Sequence, residues 1–262
     1  LELNRQDEGP NLADLSRREK LILTGLYLSK YDQLGLQMLG FDSFREAYNV
    51  IAYALKSKPL SIKNYRDEFD PLFPNARKGR HKREVRAYCL EIFNRFRHLD
   101  PQSFSGLVKS FFALEEDRGG NLAPSGQKDD GTSSFAQRLI TGLAAEHYFE
   151  SIHGELAEFK GYRLENTTQY GCGYDFRLRA NPDDQEFLAV EVKGLRLKTG
   201  SLAMTPKEYE AASVLRDRFL LFVVRNFRET PTHEIFRDPL SSRLQFRRIE
   251  QMVIQVSWVT SI

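Results

Sequence analysis

The 262 residues of the chain, 41% of them hydrophobic, are enough for two ordinary domains, each with its own core. A formal charge of only +2 excludes nucleic-acid binding through the field of the whole molecule, so any such affinity must come from local patches. A membrane-spanning helix, a disulfide framework and a zinc site are not indicated either: no apolar run nears the roughly 20 residues that span a bilayer, the start at Leu1 has no signal-peptide pattern, and Cys89 and Cys172 stand far apart without ligand neighbours. A cytoplasmic protein with no membrane partner is expected, and a first residue other than Met reads as a trimmed chain.

The first half reads as a succession of helices. Ser43 and Glu46 have capping-box spacing, and Phe44, Tyr48, Ile51, Ala52 and Leu55 follow with the helical period. Pro59 ends the next turn, after which Ser61 can cap a second helix with Ile62, Tyr65 and Phe69 inward and Lys63, Asn64 and Arg66 outward, compatible with a helix-turn-helix. The most basic stretch comes next, with Arg77, Lys78, Arg80, Lys82 and Arg83. These cations could neutralise phosphates while Asn64 and Arg66 read base edges. Equally, Asp67, Glu68 and Asp70 on the same face would make this a solvated, charged helix entry. Val85, Tyr88, Cys89, Ile92, Phe93 and Phe96 mark a third helix, and Phe104, Leu107, Val108, Phe111 and Phe112 a fourth. Residues 1–114 are thus expected to be a helical domain for DNA binding or protein contact. Residues 115–134, rich in Gly, Ser, Asp and Pro, read as a linker or mobile loop that proteases would cut first.

Residues 135–262 are mixed. From Phe135 to Phe149 the chain looks helical, with Leu139, Leu143 and Glu146 at i, i+4 and i+7. An acid on an inward stripe needs a metal or a lysine as partner, unless it sits at the stripe's edge and reaches water. Tyr174, Phe176, Leu178 and Ala180 then alternate with Asp175, Arg177 and Arg179, the period of a strand with one buried face. A polar turn at Asn181–Gln185 leads to a second strand in which Glu191 and Lys193 share one face while Val190 and Val192 take the other. Thr205 and Pro206 open a helix to about Leu215, and Phe219–Val224 has the continuous apolar pattern of a buried central strand. Phe227, Phe236 and Phe246 mark later short strands, and Val253–Trp258 would close the sheet. Lys198, Lys207, Arg216 and Arg218 flank the acids and could approach a phosphate backbone or merely cover apolar surface. His147 and His153 read as packing or surface residues.

Two acids and a lysine meeting across neighbouring strands suit phosphodiester hydrolysis. Asp175 and Glu191 could hold Mg2+, which prefers one or two carboxylates and activates water, and Lys193 could orient or deprotonate that water. The plainer alternative is a solvent-facing strand that carries them as ordinary polar residues. The order of helix with acid, strand with Asp and strand with Glu-x-Lys resembles the PD-(D/E)xK nuclease superfamily. More narrowly, Gly173-Tyr174-Asp175, the Glu-Val-Lys-Gly run at 191–194 and the segment Met204–Ala212 resemble the domain named for the C-terminus of the plant protein NO VEIN, which occurs in many bacterial restriction and phage-defence proteins. The resemblance covers about residues 135–226.

That resemblance implies an α/β (α+β) chain in which a restriction-endonuclease-like mixed sheet, flanked by helices, follows the helical domain. It implies Glu146, Asp175, Glu191 and Lys193 as the catalytic set, the three acids as ligands of Mg2+ or Mn2+, and Thr205 and Glu208 at the start of the following helix. Leu195 stands where the family often has a small hydroxyl residue, and Tyr209 replaces a common Trp. The implied activity is a metal-dependent endodeoxyribonuclease of restriction or antiphage defence, acting on DNA as a homodimer or with a defence partner protein. Lys198 and Thr205 join the basic residues above as candidate nucleic-acid contacts. Members of this family also exist without demonstrated activity, so a silent module that binds nucleic acid or a protein is the alternative, and an RNA nuclease a third.

Overall fold

The computed structural model describes residues 15–74, 77, 84–113, 135–250 and 260. The expectations for Lys78, Arg80, Lys82 and Arg83, for the 115–134 segment and for a closing strand at 253–258 lie outside the described residues. Among those residues the fold is mixed α/β, with seven α-helices and one five-stranded mixed sheet. None of these helices is long and apolar enough to cross a membrane.

Helix α1 (Arg17–Met38) opens with a full capping box between Ser16 and Glu19. Its residues from Leu21 to Ser29 are all buried. A helix enclosed on every side shows no polar stripe, so this element is not anticipated in the sequence. The backbone leaves helical geometry at Asp32, where φ is 44°. Helix α2 (Phe44–Ala54) starts as expected at Ser43, which accepts the Glu46 N–H (3.2 Å). Its capping box is only half made, because the fully buried Glu46 carboxylate turns instead to the Asp42 N–H and to Arg196.

Helix α3 (Pro59–Phe69) begins earlier than expected, with Pro59 in the first turn, where a missing N–H costs nothing. Arg66 does not face outward: it is 5% exposed, donates to the Tyr48 hydroxyl and to Asp32 (2.7 Å each), and lies over the Phe44 ring. Helices α4 (Ala87–Phe96) and α5 (Pro101–Ala113) bury the anticipated stripes, including Cys89, Ile92 and Phe96 on the first and Phe104, Val108 and Phe112 on the second.

Helix α6 (Phe135–Ile152) buries Ile140, Thr141, Ala144, Ala145, Tyr148 and Phe149, a stripe one position on from the expected one. Leu139, Leu143 and Glu146 lie partly buried on its flank. The small Ala144 and Ala145 explain the shift, since they let the helix lie close against the sheet. At Gly194 a Cβ would come within 2.7 Å of the Thr141 carbonyl oxygen and 3.1 Å of the Ala145 Cβ.

The sheet runs in the order β1 (Arg163–Asn166), β2 (Phe176–Arg179), β3 (Leu188–Gly194), β4 (Phe219–Arg225), β5 (Thr232–Arg237). All neighbours are antiparallel except β3 and β4, which run parallel and are joined across helix α7 (Pro206–Leu215). The apolar run from Phe219 to Val224 is buried throughout, as a central strand requires. Phe236 lies in β5, whereas Phe227 and Phe246 fall outside strands, and Ala180 is exposed beyond the end of β2. The short, polar β1 had no strand signal. Helices α1–α6 and the Val190, Val192, Phe222 face of the sheet share one hydrophobic cluster. Polar contacts reinforce it: the Asn49 side chain donates to the carbonyls of Phe227 (2.7 Å) and Glu229 (2.8 Å) in the turn after β4.

Gly194→Ala should lower stability by about 1–3 kcal/mol, because a backbone carbonyl blocks the added methyl. In urea denaturation the midpoint falls while the slope stays constant. An unchanged midpoint would show that α6 does not approach β3 this closely.

Candidate acid and lysine site

The β2–β3 hairpin brings three of the expected residues together. Asp175 stands just before β2; its N–H donates to the Val190 carbonyl (3.1 Å) and its own carbonyl accepts from Thr167 (2.8 Å). Its carboxylate accepts the Val192 N–H at 2.8 Å, so the side chain extends the ladder to the residue between Glu191 and Lys193. Glu191 is 3% exposed, and its Oε1 lies 2.6 Å from the Lys193 ammonium, on the shared face that their spacing predicts. Tyr174, Ala189, Ala212 and Phe219 pack beside them, tying the hairpin to α7. Gly173 makes that contact possible: its φ is +86°, and a Cβ there would come within 2.5 Å of the Lys207 carbonyl oxygen.

A fourth residue joins from α7. Thr205 and Glu208 form a complete capping box, in which Thr205 accepts the Glu208 N–H (3.2 Å) and Glu208 Oε2 accepts the Thr205 N–H (3.0 Å). The same Oε2 receives the Lys193 ammonium at 2.7 Å. Lys193 therefore bridges a strand acid and a helix acid. The family resemblance places Glu208 at the start of this helix but gives it no part in the site. The signal was available in the topology, because a helix crossing between parallel strands begins at the carboxyl end of the first strand, where Lys193 lies.

The electrostatics are those of an acid excess. Burial pushes the Asp175 carboxyl up to about 8, and the charges of Glu146 and Glu208 add to it against the pull of Lys193 and the Val192 N–H. Burial, then Asp175 and Glu208, hold Glu191 well above the usual carboxylate range despite Lys193. For Lys193 burial acts downward, but Glu191, Glu208 and Asp175 outweigh it and the ammonium is held on more firmly than usual. Three carboxylates thus act on one ammonium. Glu146 belongs to this set through its charge on Asp175; among the described residues no three His, Cys, Asp or Glu side chains form a preformed metal-ligand group.

The candidate nucleic-acid contacts are dispersed. Lys63 pairs with Asp67 (3.3 Å), Asn64 is exposed, and Arg66 is buried against Asp32. Arg77 is held by Asp70 (2.8 Å) and Asp32 (2.6 Å), so both arginines are committed to acids of their own fold. Lys198 is exposed after β3, and Thr205 serves as the helix cap. The His147 Nδ1 faces the Tyr53 and Ala54 carbonyls, with burial lowering its pKa, and the His153 Nδ1 faces the Glu150 carbonyl.

Because Asp175 holds its proton more tightly folded than unfolded, its contribution to stability is present below its ordinary value of 3.8 and is lost as pH rises through about 8. Asp175→Asn, which cannot ionise, should melt above the native protein at pH 8 in chelator by at least about 3 °C, with a smaller difference at pH 5. The same difference at both pH values in thermal unfolding would contradict the acid excess.

No curated protein and no solved structure matches the chain. Residues 145–236 match the family model described as Protein NO VEIN, C-terminal. That stretch runs from within α6 to β5 and holds Glu146, Asp175, Glu191, Lys193, Thr205 and Glu208, and over this segment the chain is similar to the NO VEIN C-terminal family.

Proposed function

We propose that the NO VEIN-type segment is a metal-dependent nuclease of the PD-(D/E)xK kind that hydrolyses phosphodiester bonds in DNA, with restriction or antiphage defence as its setting. The observation that carries this reading is the meeting of Asp175, Glu191 and Lys193 around the end of β3, with the Asp175 carboxylate on Val192 and the Lys193 ammonium on Glu191. Asp175 and Glu191 offer oxygen donors, which suit a hard cation such as Mg2+ or Mn2+, and the uncompensated acid charge favours one. When bound, the metal would offset charge developing on the phosphate and lower the pKa of its water. Lys193 stays protonated, which makes it a donor that orients water and stabilises phosphate charge rather than a base. Glu208 holds that ammonium in place from the helix side, and Glu146 adds negative charge near Asp175.

A catalytically silent binding module is the competing reading. It is favoured by one observation: Lys193 is already satisfied by two carboxylates, as a purely structural ion pair would be.

Labelled plasmid, linear and single-stranded DNA, modified and unmodified, offered with Mg2+ or Mn2+, separate the two. Native protein should cut, while Asp175→Ala and Lys193→Ala lose at least about 100-fold in rate. Equal cutting by all three would remove this site from the chemistry. DNA binding that weakens with salt, without cutting, would establish the silent module.

A further inference from the structure

We propose that Arg177 and Arg179, with Arg163 beside them, form a phosphate track that receives the backbone of a nucleic-acid strand next to the acid and lysine site; its link to catalysis rests on the nuclease reading above. Arg177 and Arg179 alternate along β2 from Asp175, and a strand advances about 6.6 Å per two residues, close to the separation of successive phosphates in an extended chain. In the β1–β2 register Arg163 lies opposite Arg179, and Glu165 opposite Arg177. Like charges directly opposite one another are destabilising, so two facing arginines call for an anion.

The anion that the fold supplies is insufficient. Glu165 serves both β2 arginines, at 3.7 Å from Arg177 and 3.6 Å from Arg179, longer than a bidentate pair. The Nε atoms of both arginines are buried without a hydrogen-bond partner. Their stems are nevertheless fixed. The Arg177 guanidinium lies 4.7 Å from the centre of the Phe187 ring and donates to the Tyr174 hydroxyl at 2.9 Å, and Arg179 lies 6.0 Å from the same ring. Their side chains remain 23% and 29% exposed, so each is anchored at its base and open to solvent at its edge. Neither buried Nε can meet an outside ligand, so an anion would meet the exposed guanidinium edges, between which the single, distant Glu165 is shared. A planar arginine fork matches a phosphate, which would complete the hydrogen bonding that Glu165 leaves short.

Binding of fluorescein-labelled DNA and RNA strands of about 20 nucleotides, read by anisotropy in EDTA across a salt series, tests the track. Arg177→Gln and Arg179→Gln should each weaken binding about 5-fold and reduce the salt slope by about one, with unchanged circular dichroism. Glu165→Gln should tighten binding about 5-fold, an outcome that misfolding cannot mimic. Binding of either polymer with this pattern supports the track, and preference between them names the strand. A native protein that does not bind, or variants with native affinity and slope, would overturn it. Asp175→Ala should bind at least as tightly as native protein, so the two proposals fail separately: track-dependent binding without cutting removes the nuclease, and cutting indifferent to Arg177 and Arg179 removes the track.

Discussion

A carboxylate sealed inside a sheet has to be answered by a cation, and Glu191 is answered by Lys193 from two residues along its own strand. Removing one member of such a buried pair costs about 3–5 kcal/mol, since the other is left uncompensated. The surroundings follow from keeping that ammonium in place. Glu208 must sit in the first turn of α7 to share it, which fixes where the crossover helix starts. Gly173 lets α7 close over the hairpin, and Gly194 lets α6 close on the opposite face. The two glycines bracket Asp175, Glu191 and Lys193 in sequence and admit the two helices that hold β3 between them.

The arrangement is poor as a stability device. Asp175 and Glu208 raise the cost of ionising Glu191, and Glu146 and Glu208 that of ionising Asp175, around a single lysine, and a core built for stability alone would replace them with apolar residues. Such clusters are retained where charge is to be met by something outside the fold, which is the physical argument for a functional site here. The arginines of β2 present the converse case on the same strand, with positive charge that its own partner answers incompletely.

Much of this was legible in the sequence, and the exceptions have physical causes. The β2–β3 hairpin, the start of α7 and the central strand β4 follow directly from alternation, from Thr205-Pro206 and from six apolar residues in a row. Glu191 and Lys193 share a face because two-residue spacing on a strand guarantees it, and the hairpin pairing brings Asp175 to them. Helix α1 was invisible because burial on all sides erases periodicity, and β1 because its Arg-Leu-Glu-Asn carries no apolar pattern. Arg66 looked solvent-facing because its partners, Asp32 and Tyr48, lie 34 and 18 residues away in the chain. The share of Lys193 taken by Glu208 required knowing that β3 and β4 run parallel.

The polar clasp between α2 and the sheet bears on modularity. The family-matched stretch starts at residue 145, inside α6, and the other side of that helix leans on α2, where Tyr53 meets Tyr148 with ring centres 5.2 Å apart. Glu46 and Asn49 reach from α2 to Arg196, just beyond β3, and to the turn after β4. The NO VEIN-type unit is therefore not a cassette in this chain. Grafting it onto another helical partner would mean rebuilding the α2 surface residue by residue, because the strand that carries Glu191 and Lys193 ends against a loop whose arginine belongs as much to the helices as to the sheet.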